Sequence, residues 1–382
     1  MSPAFNTPSK SSVQSSFRLP TRTTIAPGVL SRLGTEVRDL GIEKPFLVFD
    51  EGLSDTPWPS IVRKALSESC ADVQEYSDVD PNPRAHKVDQ AAEQARQFSA
   101  DGVVGIGGGS VMDTAKMVSM LTRNPGSCKD YEGKNLFTHH PIPFIAVPTT
   151  CGTGSEVTWV AVVSDSASNR KISIKGDGMY PTRALVVSDL IQTLPSELIS
   201  YTGLDALTHA IEALISRCSN PISDILATRA ISLIMNHLEP CAGDPNNTVH
   251  RSEMMKASTF AGIAFGNSDV GAVHCLSESI GGLFDHPHGL LNAQLLIPVM
   301  RYQYPEIEEK LDRLPDSKSS DSMLDQIEQL ISRLHVPSLQ SLEIPRESFD
   351  EIASLAEQNN SNASNPKEMT RSDYRSILTG LH

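Results

Sequence analysis

The feature that most limits how this chain can fold is a run of three glycines, Gly107 to Gly109, within the stretch VVGIGGGSVMDTAKM. The apolar residues before the glycines have the composition of a buried β-strand, and a helical pattern begins directly after them. Glycines at such a junction let the backbone turn tightly and let a ligand approach it closely. The free N–H groups at the start of the helix then favour an anion. The stretch therefore predicts a strand, a turn and a helix that bind a phosphate.

The glycine run is not the G-x-G-x-x-G dinucleotide fingerprint, because Ser110 stands at the sixth position. Ser110 and Asp113 match the S-x-x-D capping pattern, which predicts that Ser110 caps the helix. On this stretch alone, the alternative is a turn that only lets the strand and the helix pack together. A second segment therefore has to decide between a packing turn and a ligand site.

That second segment is AVPTTCGTGSEVT at 146–158, which also follows an apolar strand. It offers the hydroxyl groups of Thr149, Thr150 and Thr153 around two glycines. Two such loops after parallel strands can face the same edge of the sheet, where α/β sheets bind their ligands. Together the loops predict the pyrophosphate of a dinucleotide. Asp50 ends another strand at this edge, where it can bond a ribose hydroxyl or cap the next helix.

Two different patterns divide the chain near residue 195. The first half alternates strand-like runs with helical patterns, which predicts a Rossmann-like parallel sheet with helices on its faces. Three β-like segments within 157–187 lack helices between them and suggest a hairpin over the cleft. From residue 196 onward the patterns are all helical. We therefore predict an α/β dinucleotide-binding domain over 21–195, an all-α metal-binding and catalytic domain over 196–382, and a disordered tail over 1–20.

The composition limits the partners of the protein. The net charge of −14 disfavours nucleic acid and anionic membranes, because neither would attract such a surface. No apolar run approaches the roughly 20 residues of a membrane span. The six cysteines include no C-x-x-C pair, so we expect free thiols in a reducing compartment. We predict a cytoplasmic location, with a mitochondrial transit signal in the first 22 residues as the less favoured alternative.

A second group of residues predicts a metal site in the helical half. In GLDALTHAIEA, Asp205 and His209 are four residues apart, so a helix places both on one face. An unpaired charge among their apolar neighbours would be costly. Further along, GAVHCLSESIGGLFDHPHG supplies His274 and then His286 and His288. A carboxylate with several imidazoles suits Fe(II) or Zn(II), which predicts a transition-metal ion here.

A metal site that faces a dinucleotide site across a cleft has a definite chemical use. A metal ion polarises an alcohol oxygen and lowers its pKa. A nicotinamide cofactor carries the redox chemistry by accepting the hydride. The residues therefore predict an NAD-linked alcohol dehydrogenase or aldehyde reductase that acts on a small molecule.

From about residue 20 to its end, the chain resembles the iron-containing (group III) alcohol dehydrogenase family. The motifs that carry the resemblance are GGGSVMDTAK, PTTCGTGSEVT, TGLDALTHAIEA, NPISDILATRAISLI, ASTFAGIAFGN and HPHGLLNAQLLIPVM. The resemblance implies a dehydroquinate synthase-like architecture, in which an α/β dinucleotide-binding domain precedes a helical metal-binding domain. It also implies a homodimer.

The resemblance assigns residues to the metal ion. Its four metal ligands fall on Asp205, His209, His274 and His288. The family separates its third and fourth ligands by fourteen residues, which selects His288 over His286. Iron is the expected metal, with zinc as the alternative.

The resemblance also assigns residues to the cofactor. The cofactor contacts that it implies are Gly107, Gly108, Gly109, Ser110, Asp113, Thr149, Thr150, Thr153 and Lys171. Phe265 matches a position that lines the nicotinamide and substrate pocket. Asp50 matches the position where an acid favours NAD by excluding the 2′-phosphate of NADP.

Glu278 is the largest departure from the family pattern, which usually has a second histidine four residues after the third ligand. On a helix Glu278 shares the face of His274, so it should point toward the site. Three interpretations stay open: a neutral change with the side chain in solvent, a proton-accepting or substrate-binding carboxylate, and a mark of weakened activity. We expect Glu278 to act beside Phe265 in the catalytic site and to favour a polar or cationic substrate.

Three alternative functions remain. Maleylacetate reductases share the fold and a GG-x-FD-x-PH stretch like GGLFDHPH, but they reduce an activated double bond and typically lack the Asp ligand that Asp205 supplies here. Glycerol dehydrogenase-type enzymes use fewer ligands and different motifs. A non-catalytic nucleotide-binding relative would bind NAD and metal without turning over any alcohol.

Overall fold

The computed structural model of the chain describes residues 16–168, 170–314 and 320–381. Residues 1–15 of the predicted tail lie outside the described residues. At the end of that tail, the N–H group of Arg18 donates to the Asn267 side chain at 2.6 Å, and the Asn267 amide donates to the Arg18 carbonyl at 3.0 Å. This reciprocal pair of hydrogen bonds holds Arg18 against the helical half of the chain.

Within the described residues, strands alternate with helices in the first half of the chain, and helices alone follow β9. The strands are β1 (Arg22–Ile25), β2 (Pro45–Val48), β3 (Gln74–Tyr76), β4 (Gly102–Gly107), β5 (Gly133–Lys134), β6 (Phe144–Pro148), β7 (Val160–Asp165), β8 (Arg170–Lys175) and β9 (Arg183–Val186). The α-helices are α1 (Leu33–Asp39), α2 (Trp58–Ser67), α3 (Ala85–Phe98), α4 (Gly109–Leu121), α5 (Ser196–Ile215), α6 (Pro221–Gly243), α7 (Thr248–Gly266), α8 (Ala272–Phe284), α9 (His288–Leu311), α10 (Ser320–Arg333), α11 (Phe349–Gln358) and α12 (Arg371–Gly380).

Six strands form a parallel sheet in the order β1-β9-β6-β4-β2-β3. Its central strands are apolar on both faces, because both faces are buried. Leu47 and Val104 join the apolar cluster that includes α1 and α2, whereas Phe46 and Val103 join the cluster that includes α3 and α4. The carboxyl ends of β2, β4 and β6 therefore meet at one edge, which α4 begins to cover.

A smaller sheet has the order β5-β8-β7, in which β7 and β8 form an antiparallel hairpin. This hairpin confirms part of the prediction for residues 157–187. The third predicted segment behaves differently, because β9 joins the large sheet between β1 and β6. Strand β1, the edge strand that pairs with β9, was not predicted from the sequence.

From α5 onward the described residues contain α-helices and short 3-10 helices around one large apolar core. Helix α5 is buried around its whole circumference, as Leu204, Leu207, Ala210 and Ile211 show. A helix that is apolar all round belongs in the centre of a domain. The Rossmann-like parallel sheet followed by an all-helical region confirms the predicted fold class. The division into domains at residue 195 stays a prediction.

The cysteines and the lengths of the helices bear on the predictions about compartment and membrane. The six cysteines are all free thiols, and four of them are buried. Within residues 16–168, 170–314 and 320–381, no helix is long and apolar enough to cross a membrane.

Candidate active site

A cleft of about 500 Å³ separates the carboxyl edge of the large sheet from the helices that follow it. Predicted site residues from both halves of the chain line this cleft: Gly109, Ser110, Asp113, Thr153, Lys171, His209, Phe265, His274, Glu278 and His288. Asp205 is buried beside the three histidines. The cleft therefore brings together the residues that the sequence assigned to a dinucleotide and those it assigned to a metal ion.

The remaining predicted cofactor residues adjoin the cleft at the strand ends. Gly107 ends β4, and its carbonyl accepts the N–H group of Thr149 at 2.9 Å. Asp50 lies two residues beyond Val48, which is paired with Gly105 of β4. Asp50 precedes a short 3-10 helix, but its side chain forms no capping hydrogen bond. Burial raises the pKa of the Asp50 carboxyl.

The predicted capping role of Ser110 is wrong. Helix α4 begins at Gly109, and its N-cap residue is Gly108, which offers no side-chain acceptor. The Ser110 hydroxyl donates instead to the Pro81 carbonyl. The Asp113 carboxylate accepts from the Ser155 hydroxyl at 2.9 Å and from the Val162 N–H group at 3.0 Å. Tertiary partners thus take both side chains, so the first N–H groups of α4 have no side-chain cap.

The three glycines of the turn are required for different reasons. A Cβ atom on Gly107 would lie 2.4 Å from the side chain of Val111, and one on Gly109 would lie 2.6 Å from that of Thr153. These two positions therefore exclude a side chain because the protein itself fills the space. Among the described residues, a Cβ atom on Gly108 would meet only Thr150, at 3.1 Å. Packing alone therefore does not account for the glycine at position 108, and the close approach of a ligand is the predicted reason for it.

The loop that follows β6 is attached to α4 by a buried ammonium group. Lys116 donates to the Ser155 hydroxyl at 2.7 Å, to the Thr158 hydroxyl at 2.9 Å and to the Val160 carbonyl at 2.7 Å. Burial lowers the pKa of Lys116 to about 8, although Asp113 and then Glu156 act against this. The two predicted phosphate loops are therefore held in fixed relation by α4.

Asp205 and His209 lie one turn apart on α5, His274 lies on α8, and His288 begins α9. One ligand atom from each of Asp205, His209 and His274 lies within 4.8 Å of the other two. Nε2 of His288 lies 3.9 Å from Oδ1 of Asp205. His286, the alternative that the residues alone left open, lies beside the Phe284 ring instead.

The donor atoms of this cluster fit a divalent transition metal. The Nε2 atoms of His209 and His274 face each other at 3.0 Å. The Nδ1 atoms of His209 and His288 are buried without a hydrogen-bond partner in the described part of the chain. Burial lowers the pKa of His209 to about 4 and that of His288 well below its usual value, so both rings are neutral at pH 7. Neutral imidazoles beside a carboxylate are the ligand set of Fe(II) and Zn(II) sites.

Two residues of the cluster were missed by the sequence analysis. Glu212, one turn beyond His209 on α5, accepts the Nδ1 proton of His274 at 2.5 Å and the N–H group of Val273 at 2.7 Å. Although burial opposes it, Glu212 raises the pKa of His274. A carboxylate in this position orients the ring and aims Nε2 at the metal. The signal was present, because Glu212 lies three residues after His209 on the same helix face.

The second missed residue is Asn292, one turn into α9. Its amide donates to Oδ1 of Asp205 at 2.7 Å and lies 3.2 Å from Nε2 of both His274 and His288. A side chain four residues after His288 shares the helix face of that residue. Asn292 therefore holds the Asp205 carboxylate among the histidines.

Phe265 and Glu278 border the cluster on the side of the open cleft. The Phe265 ring stacks on His209, with ring centroids 4.3 Å apart and planes inclined by 19°. Glu278 lies one turn after His274, and its Oε2 accepts the Asn359 amide at 2.7 Å. Lys171 reaches across from β8, because its Nζ would be 3.4 Å from a Cβ atom on Gly281 of α8. Burial lowers the pKa of Lys171, and Glu278 acts against this.

Comparison with known proteins agrees with this geometry. Residues 20–188 match the family described as iron-containing alcohol dehydrogenase, and residues 199–381 match its C-terminal domain. Alcohol dehydrogenase 4 of Schizosaccharomyces pombe is 30% identical over 98% of this chain and 90% of that protein. An NAD-dependent methanol dehydrogenase of Bacillus methanolicus is 30% identical over 95% of this chain and 98% of that protein.

The solved structures give the same result for the fold. The crystal structure of a 1,3-propanediol oxidoreductase superimposes with a TM-score of 0.93 at 29% identity, covering 97% of this chain and 100% of that one. The family matches extend over both the sheet and the helices, and the ligand cluster is intact. The chain therefore belongs to the iron-containing alcohol dehydrogenase family and is a metal-dependent alcohol dehydrogenase.

Proposed function

We propose that this protein interconverts small alcohols and aldehydes in the cleft, with the metal ion on Asp205, His209, His274 and His288 and the dinucleotide on the two loops at the sheet edge. The observation that carries the proposal is the convergence of buried ligand atoms from α5 and α8 within 4.8 Å, opposite the glycine turn. Small alcohols are the substrates of the family. Neither enoate reduction nor a binding role without catalysis is favoured.

The cofactors are NAD and iron, and zinc is a minor alternative. When bound, the metal ion lowers the pKa of an alcohol oxygen and the nicotinamide accepts a hydride. Asp50 supports the choice of NAD over NADP, because a carboxylate at the end of β2 would repel a 2′-phosphate. The cofactor contacts proposed for the turn and the second loop are Gly107, Gly108, Gly109, Ser110, Asp113, Thr149, Thr150, Thr153 and Lys171.

The chain's own residues prepare the site before any ligand arrives. Glu212 fixes the tautomer of His274, because its carboxylate accepts the Nδ1 proton and leaves the Nε2 lone pair free. Phe265 covers one face of His209 and excludes water from that side. Lys116 holds the second loop against α4, so the hydroxyl groups and the helix N-terminus keep a constant separation. Such prior ordering lowers the cost of positioning two reactants.

The test of this proposal combines metal analysis with turnover. After anaerobic purification we expect about one iron atom per chain, and NADH oxidation with a panel of aldehydes that chelation abolishes and added metal restores. Asp205→Asn should lose both metal and turnover. A metal-free protein that still reduced maleylacetate would contradict the proposal and favour the enoate reductase alternative.

We also propose a domain boundary, a homodimer and a cytoplasmic location. The domain boundary is placed near residue 195, after the last strand of the large sheet and before α5. A homodimer is proposed from the family resemblance and would be checked by light scattering. The cytoplasmic location is supported by six free cysteines and would be checked by cell fractionation against a mitochondrial marker.

A further inference from the structure

Glu278 places a carboxylate in the cleft, and the proposed reaction does not require one there. It lies on α8 one turn after His274, at the position where the family usually has a histidine. Its side chain lines the cleft and is half-buried. The side chain therefore faces the cleft and not the outer surface. A carboxylate thus stands beside the space that a substrate must enter.

The Glu278 carboxylate is held in one orientation. Its Oε2 accepts the Asn359 amide at 2.7 Å, while Oδ1 of Asn359 accepts the N–H group of Ser361 at 2.9 Å. The second bond fixes which end of the Asn359 amide faces Glu278. Oε1 of Glu278 accepts no hydrogen bond from the described residues, so it is available to a ligand.

Two other acidic side chains of the cleft are already paired with cations. Glu132 pairs with Arg170 at 2.7 Å, and Asp269 lies 3.5 Å from Lys175. Asp113 uses its two oxygens on the partners named above. Among the described residues, Glu278 has no cation within 4.0 Å, and its one hydrogen-bond donor is a neutral amide.

Lys171 is a cation of the cleft whose pKa is lowered by burial and raised by Glu278, but the two side chains form no ion pair within 4.0 Å. In the proposed function Lys171 contacts the cofactor, whose pyrophosphate carries two negative charges. The bound cofactor therefore takes up the positive charge of Lys171. Glu278 then has no protein cation paired with it in the described part of the chain, so its carboxylate is available to a cationic group of a substrate.

We propose that Glu278 selects cationic substrates, namely short alcohols and aldehydes that carry an ammonium group. This inference rests on the proposed function, because it concerns the same site. His274 and Glu278 lie one turn apart on α8, a rise of about 6 Å between their backbone positions, so we expect a short spacer of about two or three carbon atoms between the reacting oxygen and the ammonium group. The reaction is the oxidation of the alcohol to the aldehyde, with NAD taking the hydride and solvent taking the proton.

A matched pair of alcohols tests the inference. Choline and 3,3-dimethyl-1-butanol have nearly the same shape, but only choline carries a charge. We expect kcat/KM with NAD to be about 10- to 100-fold higher for choline, the range for one charged hydrogen bond or ion contact in a partly buried site. Equal or lower values for choline would overturn the inference, as would a preference for the anionic 3-hydroxypropionate. If neither alcohol were turned over while the aldehyde panel was still reduced, this inference would fail and the proposed function would stand; loss of both activities would overturn the proposed function.

Glu278→Gln removes the charge while keeping the shape and an acceptor for Asn359. The choline-to-dimethylbutanol ratio of kcat/KM should fall about 10- to 100-fold in this variant. Glu351→Gln on α11 makes the same change in net charge at an exposed position outside the cleft, and its ratio should equal that of the wild type. An equal loss for both alcohols in Glu278→Gln would contradict substrate selection.

Binding without turnover gives a second readout. Choline added to the protein with NADH bound forms a complex that cannot react, so calorimetry measures its affinity alone. The affinity should exceed that of 3,3-dimethyl-1-butanol in the wild type, and Glu278→Gln should remove the difference. A difference that persists in Glu278→Gln would show that another group recognises the cation and would overturn the assignment.

Discussion

At the scale of single residues, Glu212 determines how the metal cluster is oriented. It is almost fully buried and uses one oxygen on the His274 ring and the other on the backbone of α8. This role does not require a protonated His274, because the neutral ring also donates its Nδ1 proton to Glu212. The cluster therefore depends on an acid that is not itself a proposed ligand.

Replacing Glu212 by Gln should weaken metal retention about 10- to 100-fold, because an amide offers one acceptor oxygen for the two donors, His274 Nδ1–H and Val273 N–H, that the carboxylate now accepts. The measurement is the rate and extent of iron loss to a chelator, followed by elemental analysis. Glu197→Gln, at an exposed position in the first turn of the same helix, should retain metal like the wild type. Unchanged metal retention in Glu212→Gln would show that the contact is only structural.

The residue scale also shows where prediction from sequence succeeds and where it fails. The spacing of Asp205 and His209 placed both on one face of a helix, and the structure has them there. The same spacing argument would have found Glu212 on that face, but its partner His274 is 62 residues away in sequence. Ser110 failed as a cap for the same reason, because a tertiary acceptor, Pro81, competes with the local one. Local patterns do not contain such distant partners.

At the scale of elements, the turn from β4 into α4 contains two glycines that packing requires, Gly107 and Gly109, and one, Gly108, that we expect a ligand to require. Gly108→Ala adds a methyl group between the turn and Thr150, where the fold yields by a few tenths of an ångström. We expect the Kd for NADH to rise about tenfold or more, because the methyl group displaces a phosphate from the N–H groups. Metal content should stay the same.

The control for Gly108→Ala is Gly243→Ala at the end of α6, where the new methyl group would meet no atom of the described chain within 4 Å. Titration of NADH fluorescence compares the two variants with the wild type. Wild-type affinity in Gly108→Ala would remove the turn from the cofactor site.

Helix α4 also carries the buried Lys116, whose pKa of about 8 predicts a pH dependence of stability. Between pH 8 and about 10.4 the unfolded chain binds a proton that the folded chain does not. The free energy of unfolding therefore gains about 1.4 kcal/mol per pH unit from this residue as the pH rises. Below pH 8 both states are protonated, and the folded state bears the cost of burying the charge.

Lys116→Met should lack this gain, so its deficit in unfolding free energy should widen from pH 8 to pH 10. Lys64→Met changes an exposed lysine on α2 and should follow the wild type. Denaturant unfolding at three pH values makes the comparison. Parallel curves for wild type and Lys116→Met would disprove the lowered pKa.

The elements themselves were predictable to different degrees. Strands β2, β4 and β6 are buried on both faces, so their apolar runs identified them. Strand β1 (Arg22–Ile25) is an edge strand of four residues, partly polar and half-exposed, and gave no such signal. Strand β9 was recognised as a strand, but its place beside β1 depends on pairing that no local pattern contains.

At the scale of the whole molecule, the two sites depend on different parts of the chain. The proposed metal ligands lie on α5, α8 and α9, whereas the phosphate loops follow β4 and β6. The cleft is bridged at its edge by Arg84, which binds Asp285 at 2.6 Å, and by Asn82, which donates to the same carboxylate at 2.7 Å. Because the proposed metal ligands and the proposed cofactor contacts share no residue, we expect each ligand to stabilise the folded protein without help from the other.

Chelation tests this independence. A ligand that binds only the folded state at 100 times its Kd adds about 2.7 kcal/mol of stability, so removing iron should lower Tm by several degrees and adding it back should restore Tm. NADH should still raise Tm in the chelated protein, because its proposed contacts include none of the metal ligands. Asp205→Asn should respond to NADH but not to the chelator, whereas Gly108→Ala should respond to the chelator and show a smaller rise in Tm with NADH. If chelation abolished the response to NADH, binding at the two sites would be coupled. The prediction that the loops of the sheet bind the dinucleotide independently of the metal on the helices would then be wrong.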